Sequence, residues 1–439
     1  MGKSLRIGVI GGGPAGIALA HRLAGAGHSV SIFEAGDSWG GLARSFDLGG
    51  LRIERYYHFL CGDDTGYLKK LRELGMENQV CWTATKMGFF YRGRTYPFSG
   101  ALDLLRCGAL SAAGRVRYAL SILYCRAINN WRRLDAISAE QWLRKLVGKA
   151  TYEATWYPLL QVKFHQYHDQ VSAAWIWHRI HRVAKSRKRP LHREKLGYLS
   201  GGTEALLGRM IADLEAHGAQ LHLKQPVSAV RPQPDGSVTI CTPDGRSERF
   251  DRAAAAIPLP ALLRLVPELP EEYSSRIKSI NYLGIVCVVL RLKRSMSPYF
   301  WLNINDPRVH FNGCIEFSNL NPALCRDGSS VLYIPYYLPA SHPRFCMTDE
   351  EILAECMAAL RIVNPEFRED WVLDSAVSRD ASAQVVCSTG FLKVVPSFET
   401  PVRNLYLIES SQLYPADRNI SHMIDLAEAL VRRMNVGVV

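Results

Sequence analysis

The sequence predicts an α/β protein: a Rossmann-type dinucleotide-binding domain whose chain is interrupted by an interleaved α+β substrate domain. Two observations predict it. Residues 5–34, LRIGVIGGGPAGIALAHRLAGAGHSVSIFE, read as a short apolar strand, a glycine turn, a helix, a second strand and a terminal acid. The chain is also 439 residues long, more than one ordinary core accommodates, and its 48% hydrophobic content is ample for packed interiors.

Ile7, Val9 and Ile10 supply the first strand. Gly11, Gly13 and Gly16 follow in the spacing G-x-G-x-x-G, in which each glycine has its own role. The first permits a tight turn, the second lets backbone approach a pyrophosphate, and the third lets helix pack closely on strand. The helix begins near Pro14. Its first amides, from Ala15 and Gly16, point with the positive end of the helix dipole at the phosphates, so no basic side chain is needed. Ala20 and Leu23 pack this helix, Gly27 ends it, and Val30, Ile32 and Phe33 form the next strand. Glu34 closes that strand, where a carboxylate accepts the ribose hydroxyls of an adenosine and repels a 2'-phosphate. A glycine turn alone is weak, because such turns are common; the strands, helix and acid around this one make it a dinucleotide site.

After Glu34 comes AGDSWGGLARS, with a glycine doublet at Gly40 and Gly41 followed by Leu42 and Arg44. Here the chain resembles the flavin-binding superfamily of monoamine oxidases, protoporphyrinogen oxidases, phytoene desaturases and UDP-galactopyranose mutases. The resemblance implies FAD, with the doublet along its diphosphate and ribityl chain. Leu42 stands where many amine oxidases have arginine; Arg44 either takes over phosphate neutralisation or is a surface residue. Residues 197–230 look like the superfamily's second signature, in which Gly201 and Gly202 precede a helix and a strand ends in a valine, here Val227, whose backbone would meet the adenine. The run from Asp251, DRAAAAIPLPALLRLVP, looks like the strand and Pro-bearing turn that close the FAD domain. From Asn404, NLYLIESSQLYPADRNISHMIDLAEALV is similar to the final strand, loop and helix. There Glu409 would bind the ribityl chain, and backbone near Met423 would meet the flavin pyrimidine. Ser410 and Ser411 depart from the glycine or small residues usual after the acid.

By these anchors, residues 1–85, 197–260 and 400–439 form the FAD-binding domain, and 86–196 with 261–399 form the substrate domain. The first substrate segment reads as largely helical. The second alternates strand-like runs, YLGIVCVVLRL and SVLYIPYYL, with short helices such as EEILAECMAALRIV. A sheet beside helices, covering the flavin's reactive face, is the expected arrangement. No second G-x-G-x-x-G appears, so the flavin is expected to be reduced by the substrate itself.

Eleven scattered cysteines with no C-x-x-C pair predict neither a disulfide framework nor a zinc or other metal site, and point to a reducing cytoplasm. The N-terminus enters the first strand within a few residues, leaving no room for a signal peptide, and Arg6 spoils the myristoylation pattern opened by Gly2. No apolar run approaches the roughly 18 residues needed to span a bilayer; the longest, around Leu283 to Leu290, reads as a buried strand. The net charge of +12 is concentrated at 115–133 and 178–195. Solvated basic faces, attraction to anionic lipid, and an anionic substrate all account for it. Nucleic acid is not expected, since the runs carry no recognised binding motif. The stretch 101–130 reads as one helical stretch that interleaves apolar residues with arginines, which suits either peripheral docking on the inner face of a membrane or packing against the core. The oligomeric state is not set by the sequence.

Residues 156–175, WYPLLQVKFHQYHDQVSAAW, resemble the stretch that in protoporphyrinogen oxidase relatives enters the substrate pocket, making His165 and His168 candidates there. IERYYHFL, residues 53–60, lies where relatives place a loop beside the isoalloxazine ring; Tyr56, Tyr57 and His58 can stack on the ring or handle a proton, or are packed aromatics with a satisfied histidine. Arg418 can reach an anionic substrate or the flavin, or form a salt bridge. Three functions follow. The first is an FAD-dependent oxidoreductase taking a hydride from a C–N or C–C bond of a hydrophobic or anionic small molecule. The second is a flavin-dependent isomerase of a nucleotide sugar. The third, a binding protein that has lost its flavin, conflicts with the intact Gly11, Gly13, Gly16, Glu34, Gly40 and Gly41 set.

Overall fold

The computed structural model describes residues 3–186 and 195–436. Gly2 and most of the basic end of the 178–195 run lie outside the described residues. A five-stranded sheet, parallel throughout, runs in the order Leu405–Leu407, Arg252–Ala255, Arg6–Ile10, Ser29–Phe33, Gln220–His222. Val9 sits opposite both Ile32 and Ala254. One face is covered by the helices Pro14–Gly25, Gly202–Ala216 and Ile420–Met434, whose Ile17, Leu206 and Leu430 join Val9 and Ile32 in one buried cluster. Against the other face lies an antiparallel meander, Ala229–Pro232, Val238–Cys241 and Ser247–Phe250. It comes so near that a Cβ on Gly8 would lie 2.5 Å from Ile240 Cδ1. Layers of this kind on a parallel sheet explain why its strands are short continuous apolar runs.

A second, mixed sheet of seven strands has the order Val372–Val385, Tyr282–Leu292, Ser330–Leu338, Gly313–Glu316, Trp301–Ile304, Met87–Tyr91, Arg94–Pro97. The strand Tyr282–Leu292 is the buried run expected around Leu283 to Leu290, and period-two alternation explains its composition. Val286, Val288 and Leu290 face the helix Asp349–Val363 through Ile352 and Leu360. Ile285, Cys287 and Val289 face the opposite way, into the larger core shared with the helical segment. With both faces covered there is no polar face to show. On the neighbouring strand, Tyr333 and Tyr337 project to this inner side, while Ile334 and Tyr336 project to the outer one.

The helical segment leaves and returns through adjacent antiparallel strands, Val80–Ala84 and Lys195–Leu199, with Trp82 opposite Gly197. Between them run the helices Ala101–Arg106, Ala112–Ala127, Ala139–Val147, Lys149–Phe164 and Ala173–Ser186. The stretch 101–130 is thus two helices. Ser111 starts the second by accepting the Gly114 amide, a side-chain cap that competes with continuing the first. Among the described residues no helix is long and apolar enough to cross a membrane.

Candidate active site

The first strand ends in a turn that only glycine can build. Gly11 has φ +106, and a Cβ there would lie 2.5 Å from the Ala256 carbonyl oxygen. A Cβ on Gly16 would lie 1.9 Å from the Gly11 carbonyl oxygen, so the helix sits directly on the turn. A Cβ on Gly13 would meet no protein atom within 4 Å. The turn is therefore closed on its protein side and open beside Gly13, in front of the helix that starts at Pro14 and buries Ala15 and Gly16. The glycine doublet packs on it. The Gly40 amide donates to the Gly12 carbonyl at 2.7 Å, and a Cβ on Gly41 would lie 3.2 Å from Gly13 Cα. Leu42, next to the doublet, packs on the larger core, and Arg44 Nη1 stands 4.0 Å from Asp37 with a quarter of its side chain exposed.

Glu34 caps this turn from the second strand. Its Oε2 accepts the Gly12 amide and its Oε1 the Gly36 amide, both at 2.7 Å. Each oxygen keeps a lone pair for a hydroxyl donor. The loop carrying Val227 is tied to the same place, because the Gln225 amide donates to the Glu34 carbonyl at 2.8 Å. Val227 itself lies beyond the strand Gln220–His222, in the loop rather than at a strand end. Glu34, Gly11, Gly13 and Gly16 are thereby brought together, with Val227 two residues beyond Gln225 on the loop tied to Glu34.

At the other end, Glu409 follows the edge strand Leu405–Leu407 and is buried. Its carboxylate accepts the Ser411 amide at 2.8 Å, the Tyr282 hydroxyl at 2.9 Å and the Ser410 hydroxyl at 3.3 Å. Burial pushes its pKa up, against those three bonds. The serines in place of glycine thus serve as donors to the acid. The amide of Met423 donates to the Asn419 carbonyl inside the helix Ile420–Met434, and the His422 amide to the Asn419 side chain. The N-terminal amides left to a ligand come earlier, at Ile420 and Ser421.

Arg418, just before the helix Ile420–Met434, acts electrostatically on Tyr57 and His58, and His58 lines one cleft with Asn419, Ile420 and Ser421. Tyr57 Oη is 3.2 Å from Tyr337 Oη, and its ring meets Trp301 edge-on at 5.1 Å. Tyr56 is turned into the core and buried. Burial, reinforced by the Arg418 charge, brings the His58 imidazole down to about 4, so it is neutral at pH 7. Its Nδ1 is buried with no hydrogen-bond partner among the described residues, as is Nε of Arg418. His165 is held by its Nε2 against the Tyr337 carbonyl at 2.7 Å, and His168 packs edge-on to Tyr157. These two histidines support the walls rather than meeting the Tyr57 and Arg418 side chains.

The sequence reading missed Lys163, Tyr337 and Asp417. Lys163 is 7% exposed and has its Nζ 4.8 Å from the Tyr337 ring centroid and 5.0 Å from that of Trp175. Burial brings its ammonium down to about 7. Burial opposes the charge of Asp417 too, yet Lys163, Arg179 and Arg418 hold that carboxyl at about 2, and Arg179 Nη1 pairs with it at 2.5 Å. Helical spacing was the available signal for Lys163, since it shares a buried face with Leu160 and Phe164. The eleven cysteines are free thiols, and no group of three or more His, Cys, Asp or Glu side chains among the described residues is placed to hold a metal.

Comparison with known proteins matches residues 14–408 to the model of the flavin containing amine oxidoreductases. A probable zeta-carotene desaturase of Synechococcus elongatus is 25% identical over 456 residues, covering 92% of this chain and 93% of that protein. Among solved structures, reduced UDP-galactopyranose mutase superposes with TM-score 0.77 at 16% identity, covering 99% of this chain and 97% of the other. Putrescine oxidase bound to putrescine superposes with TM-score 0.75 at 17% identity, covering 99% and 100%. At such identities the two structures establish a shared fold.

Proposed function

The chain belongs to the flavin containing amine oxidoreductase family, and from that premise we propose that this FAD-dependent oxidoreductase takes a hydride from a C–N or C–C bond of a hydrophobic or anionic small molecule. The observation that carries the reading is the turn closed by Gly11 and Gly16 but open at Gly13, with Glu34 and the Gly40–Gly41 doublet locked onto it. That cradle fits a dinucleotide. We assign the FAD-binding domain to 1–85, 197–260 and 400–439 and the substrate domain to 86–196 and 261–399.

In this assignment Gly11, Gly13, Pro14, Ala15 and Gly16 receive the diphosphate, Glu34 and Val227 the adenosine, Gly40, Gly41, Leu42 and Arg44 the diphosphate and ribityl region, and Glu409 with the backbone before Met423 the flavin end. Bound FAD supplies a two-electron acceptor. The protein then has to orient the substrate carbon, exclude water and take any proton released. Tyr57, Tyr337 and Trp301 form aromatic walls suited to orienting the substrate and keeping the site dry. His58, neutral at pH 7, is a group able to accept a proton. Oxygen or another acceptor carries the two electrons away.

The second reading, isomerisation of a nucleotide sugar by the reduced flavin, is favoured by one observation: the unpaired cation at Arg418 beside Lys163, which suits a diphosphate. Anaerobic addition of amines, porphyrinogens, polyprenoids and nucleotide sugars to the flavin-loaded protein separates the two. Bleaching of the flavin bands by one of these identifies an oxidised substrate. Bands that stay until dithionite is added, with a nucleotide sugar rearranging only afterwards, would replace the first reading by the second.

Peripheral contact with a membrane belongs to the same proposal. On the helix Ala112–Ala127 the stripe Gly114, Tyr118, Ser121 and Cys125 is buried, while Val116, Leu120, Leu123 and Tyr124 are between 46% and 61% exposed. Leu102 and Leu105 on the preceding helix are also exposed, and the exposed Arg106 and Arg126 add charge that attracts anionic lipid.

A further inference from the structure

Lys163 and Arg418 are cations that the protein does not neutralise. The Lys163 ammonium makes no hydrogen bond to a described residue; it faces the rings of Tyr337, Trp175 and Phe164 at 4.8, 5.0 and 5.7 Å. Arg418 Nε is buried with no hydrogen-bond partner among the described residues. Among the described residues, Asp417 is a carboxylate in electrostatic reach of both, and it is already engaged. Its Oδ2 pairs with Arg179 at 2.5 Å and its Oδ1 accepts the Arg418 amide at 3.1 Å. Arg179, Arg418 and, when protonated, Lys163 therefore share the Asp417 carboxylate, an imbalance that favours a further anion at the buried Lys163 ammonium and Arg418 Nε. The neighbouring Arg182 does not change the count, being paired with Asp63 and Asp64. His58 and His178 are both brought down to about 4, first by burial and then by adjacent charge, and so add no cation at pH 7.

The position says what kind of anion is fitted. Arg418 acts electrostatically on Tyr57, His58 and Tyr337, the residues of the candidate active site, and Lys163 lies on the ring of that same Tyr337. The glycine turn that receives a diphosphate is served by backbone amides and does not call on either side chain. We propose that Lys163 and Arg418, braced by Asp417 and Arg179, form an oxyanion subsite that holds a carboxylate or phosphate group of the substrate. This deepens the proposed function and rests on it: the substrate then carries an acidic group a short distance from the bond that is oxidised. Arg418 supplies a planar fork for two oxygens and Lys163 a point charge.

The test is titration of the flavin-loaded protein with benzoate and, separately, with inorganic phosphate at constant ionic strength. Binding is read from the flavin difference spectrum, and from the thermal midpoint of the apoprotein in parallel. The subsite predicts saturable binding of at least one of the two anions, weakened tenfold or more in Lys163→Met and in Arg418→Gln and less so in Arg418→Lys, which keeps the charge but not the fork. Which anion saturates tells carboxylate from phosphate. Absence of any saturable response to both overturns the proposal, as does unchanged affinity in folded Lys163→Met and Arg418→Gln. A shift of the flavin midpoint potential in Arg418→Gln without loss of anion affinity would also overturn it, by making the flavin itself the counter-ion. A protein that retains no flavin but whose apoprotein is stabilised by the anion would sink the flavin reading and leave the subsite standing.

Discussion

Gly16 lies so close to Gly11 that a Cβ on the one would stand 1.9 Å from the carbonyl oxygen of the other, whereas Gly13 between them faces open space. Gly16 is thus required by the protein itself, whereas the proposed assignment makes Gly13 a requirement of the bound dinucleotide.

Gly16→Ala should therefore damage the fold, costing about 1–3 kcal/mol as the helix is pushed off the turn. Gly13→Ala should leave the apoprotein's thermal midpoint unchanged, because its φ of −78 suits alanine and its Cβ meets no protein atom within 4 Å. Its cost should appear in FAD affinity, at least tenfold or about 1.4 kcal/mol. Thermal unfolding with and without added FAD checks both variants.

Glu34 binds two backbone amides before any ribose is considered. Glu34→Gln should destabilise the apoprotein by about 1.5–3 kcal/mol, the range for bonds to a charged acceptor, and weaken FAD as well. A loss of FAD affinity with no change in apoprotein stability would assign Glu34 to the ligand alone.

Lys163 should mark the pH dependence of stability. Its folded pKa, about 7, lies below the value of 10.5 for a free lysine, so between these values the unfolded chain binds more protons and stability rises with pH. At and below pH 7 the full cost of burying the ammonium is present. Lys163→Met should then add most stability at pH 6, about 1–3 kcal/mol after the lost ring contacts, with the gain shrinking toward pH 10. Melting curves across that range give the sign directly.

The exposed apolar stripe predicts association with anionic vesicles. Leu120→Glu with Leu123→Glu should abolish co-sedimentation with phosphatidylglycerol vesicles while changing stability by no more than about 0.5 kcal/mol, since both side chains are more than half exposed. Wild-type protein that stays in solution with such vesicles, or that self-associates through this face, would contradict the membrane contact.

What was legible in the sequence was what local spacing encodes. Ile7 to Glu34 specify strand, turn, helix and strand within a few residues of one another, and the run at Leu283 to Leu290 identifies a strand buried on both sides. The charged cluster was not legible, because Lys163, Tyr337 and Asp417 come from separate segments that only the packed fold brings together. Arg418 was named from its loop without the acid that precedes it in the chain. The break between residues 106 and 112 was missed because apolar periodicity runs through it, though Ser111 carried the capping signal.

The central claim is that this chain folds around FAD. The most direct measurement is reconstitution of apoprotein with FAD, followed by absorbance and gel filtration, for wild type and Gly13→Ala side by side. The account predicts wild-type protein that retains flavin stoichiometrically and a Gly13→Ala protein, equally folded, that loses it on the column. Wild-type apoprotein that is folded yet binds no FAD would contradict it.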